Sequence, residues 1–438
     1  MSNPSTPHLP LLASRNFRCR CGQPVFFRNS VCLACLTALG YDCERGILLP
    51  LERVGAPGEH EPAGVTLWRA WHGGSAGTSR EPDPAQLEDI PGQQSAPPGS
   101  MATQSALDSA IAGTGSAALY KRCLNLSTPA SCNWLIHARD PHALCRACRL
   151  NRTIPDLTDP ALPDNGYLWG RVEMAKRRLL SSLILLGLPV ASRLTEDPQR
   201  GLMFDFLRSV RGGPHVVTGH HTGLITLNVE EADDAKREAH RKALREPYRT
   251  LLGHFRHEVG HYYWDRLVSG SPWMDGFREL FGNEQENYPA ALRRNYERGP
   301  SVNWRKHFVS AYASAHPWED WAECWAHYLH MRDTVDTALS FGLSVDRFDL
   351  EFTPFTLVAT YRPDHPEARQ FLAFLNHWMQ LTTMLNEMSH SMGQPDFYPF
   401  VLPHQVIAKL HFIHMVVGSC SEDAKAKIEP EPLAIYAQ

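Results

Sequence analysis

Two groups of cysteines constrain the first third of this chain more than any other sequence feature. The first group contains Cys19, Cys21, Cys32 and Cys35, and the second contains Cys123, Cys132, Cys145 and Cys148. Two close pairs of thiolates, as in the first group, are typical of a zinc ribbon that holds one tetrahedral ion. The second group is spaced more loosely, so His137 or His142 could replace one of its thiolates. We therefore predict a zinc-ribbon unit over residues 17–54 and a second Cys-rich zinc unit over residues 118–164.

Composition and charge narrow the class of protein. The chain has 438 residues, 43% of them hydrophobic, and a formal net charge of −4, so no basic field covers the whole molecule. The N-terminus lacks a signal-peptide pattern, and the most apolar stretch, residues 179–190, is shorter than the roughly 20 residues that span a bilayer. We expect a cytoplasmic protein without a membrane partner, in which reduced cysteines bind metal rather than form disulfides.

The remaining chain divides by composition into three parts. Residues 55–117 are rich in Gly, Ala, Pro, Ser and Gln, which predicts a low-complexity flexible insertion between the two Cys groups. Residues 165–420 are dense and amphipathic, and residues 421–438 form a predicted C-terminal tail. The fold class is therefore predicted as α+β, with a mostly helical core behind small Cys-ligated zinc units.

Four elements within 165–420 are expected from periodicity and from breaking residues. They are a helix over 168–188, an extended segment over 215–229, a helix from near Pro247 past Trp264, and a helix from Pro317 to about Arg332.

The segment His257-Glu258-Val259-Gly260-His261 carries a metal-binding pattern. On a helix, histidines four residues apart face the same way, so both imidazoles can bind one ion. Glu258 is rotated by about 100° from His257, where it can accept a proton from a water molecule as a general base. Zinc held by three protein ligands leaves a coordination position open for water or substrate. The pattern predicts a catalytic zinc site.

The helix that starts at Pro317 provides candidates for the third ligand. Glu319 and Glu323 lie four residues apart on one face of that helix. The economical assignment places Glu319 on zinc and lets Glu323 accept a hydrogen bond from a ligand histidine. The reverse assignment stays open.

Other residues near these motifs are candidates for contact with substrate. Tyr312 could donate a hydrogen bond to the oxyanion of a reaction intermediate, with His316 in reserve, although ordinary aromatic packing explains Tyr312 equally well. His220 and His221 lie in the extended segment and, together with His316, could line the substrate cleft.

Basic and aromatic residues accompany the first Cys group. They are Arg15, Arg18, Arg20 and Arg28 with Phe17, Phe26 and Phe27. Such a surface permits contact with nucleic acid or protein, although a metal-stapled scaffold is the favoured interpretation.

Several blocks together resemble a bacterial family of zinc-binding metallopeptidases that carry an N-terminal zinc ribbon. The blocks are Phe17–Phe27, Cys132–Leu135, Leu144–Asn151, Gly253–Trp264 and Phe308–Glu323. The resemblance implies a zincin-like, gluzincin-type core that binds zinc, but not a known reaction. Together with the two Cys groups, the sequence predicts one catalytic and two structural zinc ions. The long insertion departs from the family pattern and leaves open whether the two Cys groups share one domain.

A local pattern at Tyr312, Glu319 and Glu323 also looks like that of the anthrax lethal factor type of gluzincin. That resemblance implies a transition-state tyrosine, a zinc-binding glutamate and a nearby second glutamate at these positions.

The expected function is that of a zinc metallopeptidase acting on peptide or protein substrates. The alternative is a zinc-stabilised regulatory protein that binds nucleic acid or protein and has a catalytically idle core. Glu258 argues against an idle core, because such a site needs no general base beside its ligands. A zinc hydrolase of non-peptide amides is a third, weaker interpretation.

Overall fold

A computed structural model of the chain describes residues 9–54, 66–71, 118–209, 212–213, 216–243, 246–345 and 348–426. Most of the predicted insertion at 55–117 lies outside the described residues, but three of its residues, Trp68–Ala70, form a strand. The predicted C-terminal tail begins inside a helix that continues to Ala426. Residues 427–438 lie outside the described residues.

The N-terminal unit is built from short antiparallel strands. They are β1 (Phe17–Arg18), β2 (Pro24–Val25), β3 (Leu39–Asp42), β4 (Ile47–Arg53), β5 (Trp68–Ala70), β6 (Leu119–Arg122) and β7 (Leu135–His137). Strands β1 and β2 form a hairpin, and the others form one sheet in the order β3-β4-β5-β6-β7. A bridge between Tyr41 and Trp134 brings the first and last strands of this sheet together. Both Cys groups therefore belong to one unit.

The C-terminal part combines a second sheet with helices. Its strands are β8 (Asn151–Thr153), β9 (Met203–Leu207), β10 (Gly219–His221) and β11 (Leu224–Asn228). Its helices are α1 (Asn165–Leu185), α2 (Asp234–Ala243), α3 (Leu251–Tyr263), α4 (Met274–Phe281), α5 (Tyr288–Arg298), α6 (Trp304–His307), α7 (Pro317–Ser340), α8 (Ala368–Ser391) and α9 (His404–Ala426). The sheet order is β10-β11-β9-β8, which leaves β10 at an edge. The α+β prediction is confirmed.

Several helix boundaries differ from those expected from the sequence. Helix α1 (Asn165–Leu185) begins and ends three residues earlier than the predicted 168–188. Helix α3 begins at Leu251 rather than near Pro247, because the Thr250 side chain caps it by accepting a hydrogen bond from the Gly253 amide at 3.0 Å. Helix α7 continues to Ser340, two turns beyond the expected end, because Val335 and Ala338 extend its buried face.

Helix α3 lies between the second sheet and helix α7. On one side the ring of Phe255 packs against Phe204 and Phe206 of β9, with centroid separations of 5.9 and 6.1 Å. On the other side the indole N–H of Trp321, in α7, donates to the carbonyl oxygen of Gly260 at 2.8 Å. The helix that carries both motif histidines is thus held from two sides.

The N-terminal unit packs on the helical part through buried polar contacts. The hydroxyls of Tyr41 and Ser181 are 2.6 Å apart, and Arg15 pairs with Asp333 at 3.1 Å. The apolar core is continuous across this contact and includes Trp134 and Trp169. Among the described residues, no helix is both long enough and apolar enough to span a bilayer.

Candidate metal centre

Three predicted ligands meet between helices α3 and α7. Glu319 Oε2 lies 3.0 Å from His257 Nε2 and 3.6 Å from His261 Nε2, and the two Nε2 atoms are 3.3 Å apart. Donors that bind one tetrahedral zinc at about 2.0–2.2 Å are separated from each other by about 3.4 Å. All three side chains are buried. The triangle of donor atoms therefore has the size that a zinc ion requires.

The chemistry of the donors also fits a cation. Glu319 Oε1 accepts a hydrogen bond from the Tyr288 hydroxyl at 2.5 Å, whereas Oε2 is buried and has no hydrogen-bond partner among the described residues. Burial alone would raise the pKa of Glu319. The effect of His261 and His257 is larger and opposite, so the pKa lies well below its usual value. A buried carboxylate oxygen whose polar neighbours are two converging imidazole nitrogens is a typical environment for a bound cation.

Glu323 holds one of the imidazoles. Its Oε1 lies 2.8 Å from Nδ1 of His257, and its Oε2 accepts a hydrogen bond from the Ser310 hydroxyl at 2.6 Å. The Nδ1–H donated to Glu323 leaves the lone pair of Nε2 directed at the triangle. The structure therefore brings Glu319, rather than Glu323, to the two Nε2 atoms.

Glu258 is buried next to the triangle and takes no part in it. Its Oε1 lies 3.2 Å from Nε2 of His254. Burial raises the pKa of Glu258, but His254 and the motif histidines lower it to a net value below the usual one, so the group is a carboxylate near neutral pH. Sequence reasoning missed His254, although it stands four residues before Glu258 on the same helix and could have been found from that spacing.

Tyr312 lies close to the triangle. Its ring centroid is 6.0 Å from that of His257. Burial and the nearby Glu319 raise the pKa of Tyr312, so its hydroxyl keeps its proton and can donate a hydrogen bond. Tyr288, which contacts Glu319 directly, was not found from the sequence, because only the tertiary fold brings helix α5 to helix α7.

The predicted cleft histidines fall into three different environments. The His220 side chain is buried, and its ring stacks at 6.4 Å from that of His261. His221, the next residue of β10, is exposed on the opposite face. His316 caps α7 by accepting from the Trp318 amide at 3.1 Å, and its Nε2 lies 3.1 Å from the carbonyl oxygen of Glu286. Both ring nitrogens of His316 therefore have partners within the protein, and a role for His316 in substrate contact stays a prediction.

Each Cys group collects its four thiols around a common point. All four sulfurs of a group lie within 4.8 Å of one another, and Cys19–Cys35, Cys21–Cys32 and Cys132–Cys145 are 3.5, 3.8 and 3.6 Å apart. Thiolates on one tetrahedral zinc at about 2.3 Å are about 3.8 Å apart. All 11 cysteines are free of disulfides. Neither His137 nor His142 joins the second group, since His137 is exposed and His142 pairs with Asp140.

The basic and aromatic surface near the first Cys group is smaller than the sequence suggests. Arg15 and Phe17 are buried, and Phe27 lies under Arg178. The exposed part contains Arg18, Arg20, Phe26 and Arg28.

Comparison with known proteins agrees with this geometry. Residues 165–416 match a family described as "Putative zinc-binding metallo-peptidase", and residues 16–72 and 100–159 match a zinc-ribbon domain. Three relatives, one from Mycobacterium bovis and two from strains of Mycobacterium tuberculosis, are each 37% identical over 412 residues, covering 93% of this chain and 97% of the relative. Each relative is described as an uncharacterized protein. No solved structure matches the chain.

The zinc-ribbon match spans both Cys groups, in agreement with the single sheet that joins them. The metallopeptidase match contains the triangle of His257, His261 and Glu319 together with Glu258. The chain therefore belongs to this family of zinc-binding metallopeptidases and carries a zinc ribbon ahead of the family domain.

Proposed function

We propose that the protein is a zinc-dependent peptidase that hydrolyses peptide bonds in peptide or protein substrates. One observation carries the proposal: a buried glutamate, Glu258, lies beside three converging metal-binding side chains without being one of them. A purely structural zinc site is closed by protein ligands and needs no such base. We further propose that each Cys group binds one structural zinc, so that the chain holds three ions in all.

Zinc bound by His257, His261 and Glu319 would act as a Lewis acid, activating water and polarising the scissile carbonyl. Glu258 takes the proton from the attacking water and passes it to the amine of the leaving group. The Tyr312 hydroxyl donates a hydrogen bond to the oxygen that becomes negative as the carbonyl is attacked. Glu323 keeps His257 in the tautomer that binds metal.

Strand β10 offers a place for an extended substrate. It lies at one edge of its sheet, and it contacts helix α3 through His220. An extended peptide can add to such an edge by main-chain hydrogen bonds, which gives affinity that depends little on substrate side chains. We propose that the substrate lies along β10 with its scissile bond near Glu258.

The experiment that tests the proposal replaces the base. We expect Glu258→Gln to lower turnover of a mixture of quenched fluorescent peptides by about 10²–10⁴-fold, because Gln cannot accept the proton. Zinc per chain, measured by elemental analysis, should stay the same. Glu387→Gln, an exposed substitution in α8, is the matched control and should keep full activity. A Glu258→Gln protein with wild-type turnover would contradict the mechanism.

The metal requirement is tested in the same assay. A His257→Ala/His261→Ala variant should lose about one zinc ion of three and all turnover, since two of three ligands are absent. An unchanged zinc content would mean that the helix site binds no metal. The zinc-stabilised binding protein would then become the favoured function.

A further inference from the structure

A line of three side chains ends on the proposed general base. Glu231 Oε2 lies 2.6 Å from Nδ1 of His254, and Nε2 of His254 lies 3.2 Å from Oε1 of Glu258. The other oxygen of Glu231 accepts a hydrogen bond from the Thr218 hydroxyl at 2.5 Å, and Arg249 lies 3.6 Å from Oε2. Glu231 and His254 thus each have partners on two sides, whereas Glu258 ends the line.

The charge on His254 determines whether the two buried carboxylates beside it attract the ring or repel each other. Glu231 and Glu258 are 7% and 5% exposed, and two carboxylates this close to one imidazole would repel each other without a positive charge between them. Burial lowers the pKa of His254, but Glu231 and Glu258 raise it to about 9. The ring therefore holds two protons near neutral pH and donates from both nitrogens.

Resting on the proposed function, we propose that His254, held by Glu231, is a positioning residue for the hydrolytic reaction. Its contact with Oε1 orients the Glu258 carboxylate and leaves Oε2 as the oxygen that exchanges a proton with water. A base whose carboxylate is free to rotate would spend part of its time in unproductive orientations, which lowers the rate of the proton transfer.

The position of Glu231 ties this line to the proposed substrate strand. Glu231 lies in the helical turn Val229–Ala232, directly after β11. Thr218, its partner, immediately precedes β10. The same carboxylate therefore contacts both the residue before β10 and the helix that carries the base. These contacts fix the position of the strand relative to Glu258.

Three variants and one control test the proposal. His254→Leu removes both the charge and the donor, His254→Gln keeps an N–H donor without the charge, and Glu231→Gln removes the carboxylate that holds the ring. We expect His254→Leu to lower kcat by about 10–100-fold with KM and zinc content nearly unchanged, and His254→Gln to fall between Leu and wild type. His414→Gln is the control, because His414 is a buried histidine bonded to Tyr328 in another part of the fold.

Two results separate positioning from general destabilisation. In the Glu258→Gln background, His254→Leu should cause no further loss of residual activity, because its effect passes through Glu258. A crystal structure of His254→Leu should show the Glu258 carboxylate rotated from its wild-type position. A wild-type kcat for His254→Leu, or a loss no larger than that of the control, would overturn the proposal.

The structural readout also separates this inference from the proposed function. If the wild-type protein hydrolyses none of the peptides, the proposed function fails, whereas the orientation of Glu258 can still be measured. An unrotated Glu258 carboxylate in His254→Leu would overturn the positioning role, whatever the activity.

Discussion

The two oxygens of Glu319 have different partners, and this difference sets how the residue can bind a metal. Oε1 is held by the Tyr288 hydroxyl, and Oε2 faces the two imidazoles. A carboxylate anchored through one oxygen offers the other as a single, well-oriented donor. Tyr288 therefore supports the metal site without touching the triangle of donor atoms.

We expect Tyr288→Phe to weaken zinc binding at the helix site by about 10–100-fold, because Glu319 loses its anchor. Competition with a chromogenic chelator measures the affinity, and the zinc bound by the two Cys groups should be unaffected. Tyr296→Phe is the matched control, since Tyr296 lies on the same helix but is 67% exposed. Equal affinities for wild type and Tyr288→Phe would show that Glu319 needs no support from this hydroxyl.

At the scale of elements, the metal site depends on how closely α3 and α7 approach each other. A Cβ atom at Gly260 would lie 3.0 Å from Cα of Ala322 and 3.3 Å from Cβ of Trp325. Ala322 stands between Glu319 and Glu323 on α7, so any increase in the separation of the helices moves both glutamates away from His257. The glycine of the motif is therefore a packing requirement.

We expect Gly260→Ala to lower the free energy of unfolding by about 1–3 kcal/mol and to weaken zinc binding at the helix site, because backbone atoms of α7 cannot yield without separation of the helices. Denaturant unfolding and zinc titration measure the two effects. Gly418→Ala in α9 is the control: its new Cβ would come no closer than 3.5 Å to Glu367, so it should stabilise by up to about 1 kcal/mol. A stabilised Gly260→Ala protein would contradict this account.

At the scale of the whole molecule, Asp333 joins three parts of the chain that lie far apart in sequence. Its Oδ1 pairs with Arg15 from the N-terminal segment at 3.1 Å and accepts from Ser182 of α1 at 2.5 Å. Its Oδ2 pairs with Arg256 of α3, next to the first motif histidine, at 2.6 Å. The buried carboxylate connects the zinc-ribbon unit with the helix of the metal site.

We expect Asp333→Asn to lower the free energy of unfolding by about 3–5 kcal/mol at pH 7, because it leaves two buried guanidinium groups without a counter-charge. Denaturant unfolding measures the loss, and Asp349→Asn, at an exposed position, should change little.

The stability difference between wild type and Asp333→Asn should also depend on pH. Burial raises the pKa of Asp333, but Arg256, Arg15 and Arg178 lower it to about 2. A lowered pKa in the folded state stabilises the fold above the usual value near 3.8, and this stabilisation disappears as the pH falls towards 2. The difference between wild type and Asp333→Asn should therefore be full above about pH 4 and narrow below it. If the stability difference between the two proteins stayed constant down to the pH of acid unfolding, Asp333 could not be the ionised group assumed here.

Patterns of neighbouring residues were sufficient for much of the site. Because His257 and His261 are four residues apart, helix geometry places both on one face, and it places Glu258 beside them. The paired cysteines indicated two metal-binding groups for the same local reason. Boundaries were less predictable: the start of α3 depends on a hydrogen bond from Thr250, and the length of α7 depends on a face buried by distant segments.

By itself, the amino-acid sequence determined the ligand types, their spacing along each helix and the division into Cys-rich and helical parts, because these depend on covalent neighbours and local periodicity. Only the tertiary structure decided that Glu319 meets the imidazoles while Glu323 contacts His257, that Tyr288 contacts Glu319, and that Glu231 contacts His254. The members of each of these pairs lie on different elements, and their contacts depend on how helices and strands pack, which local spacing does not encode.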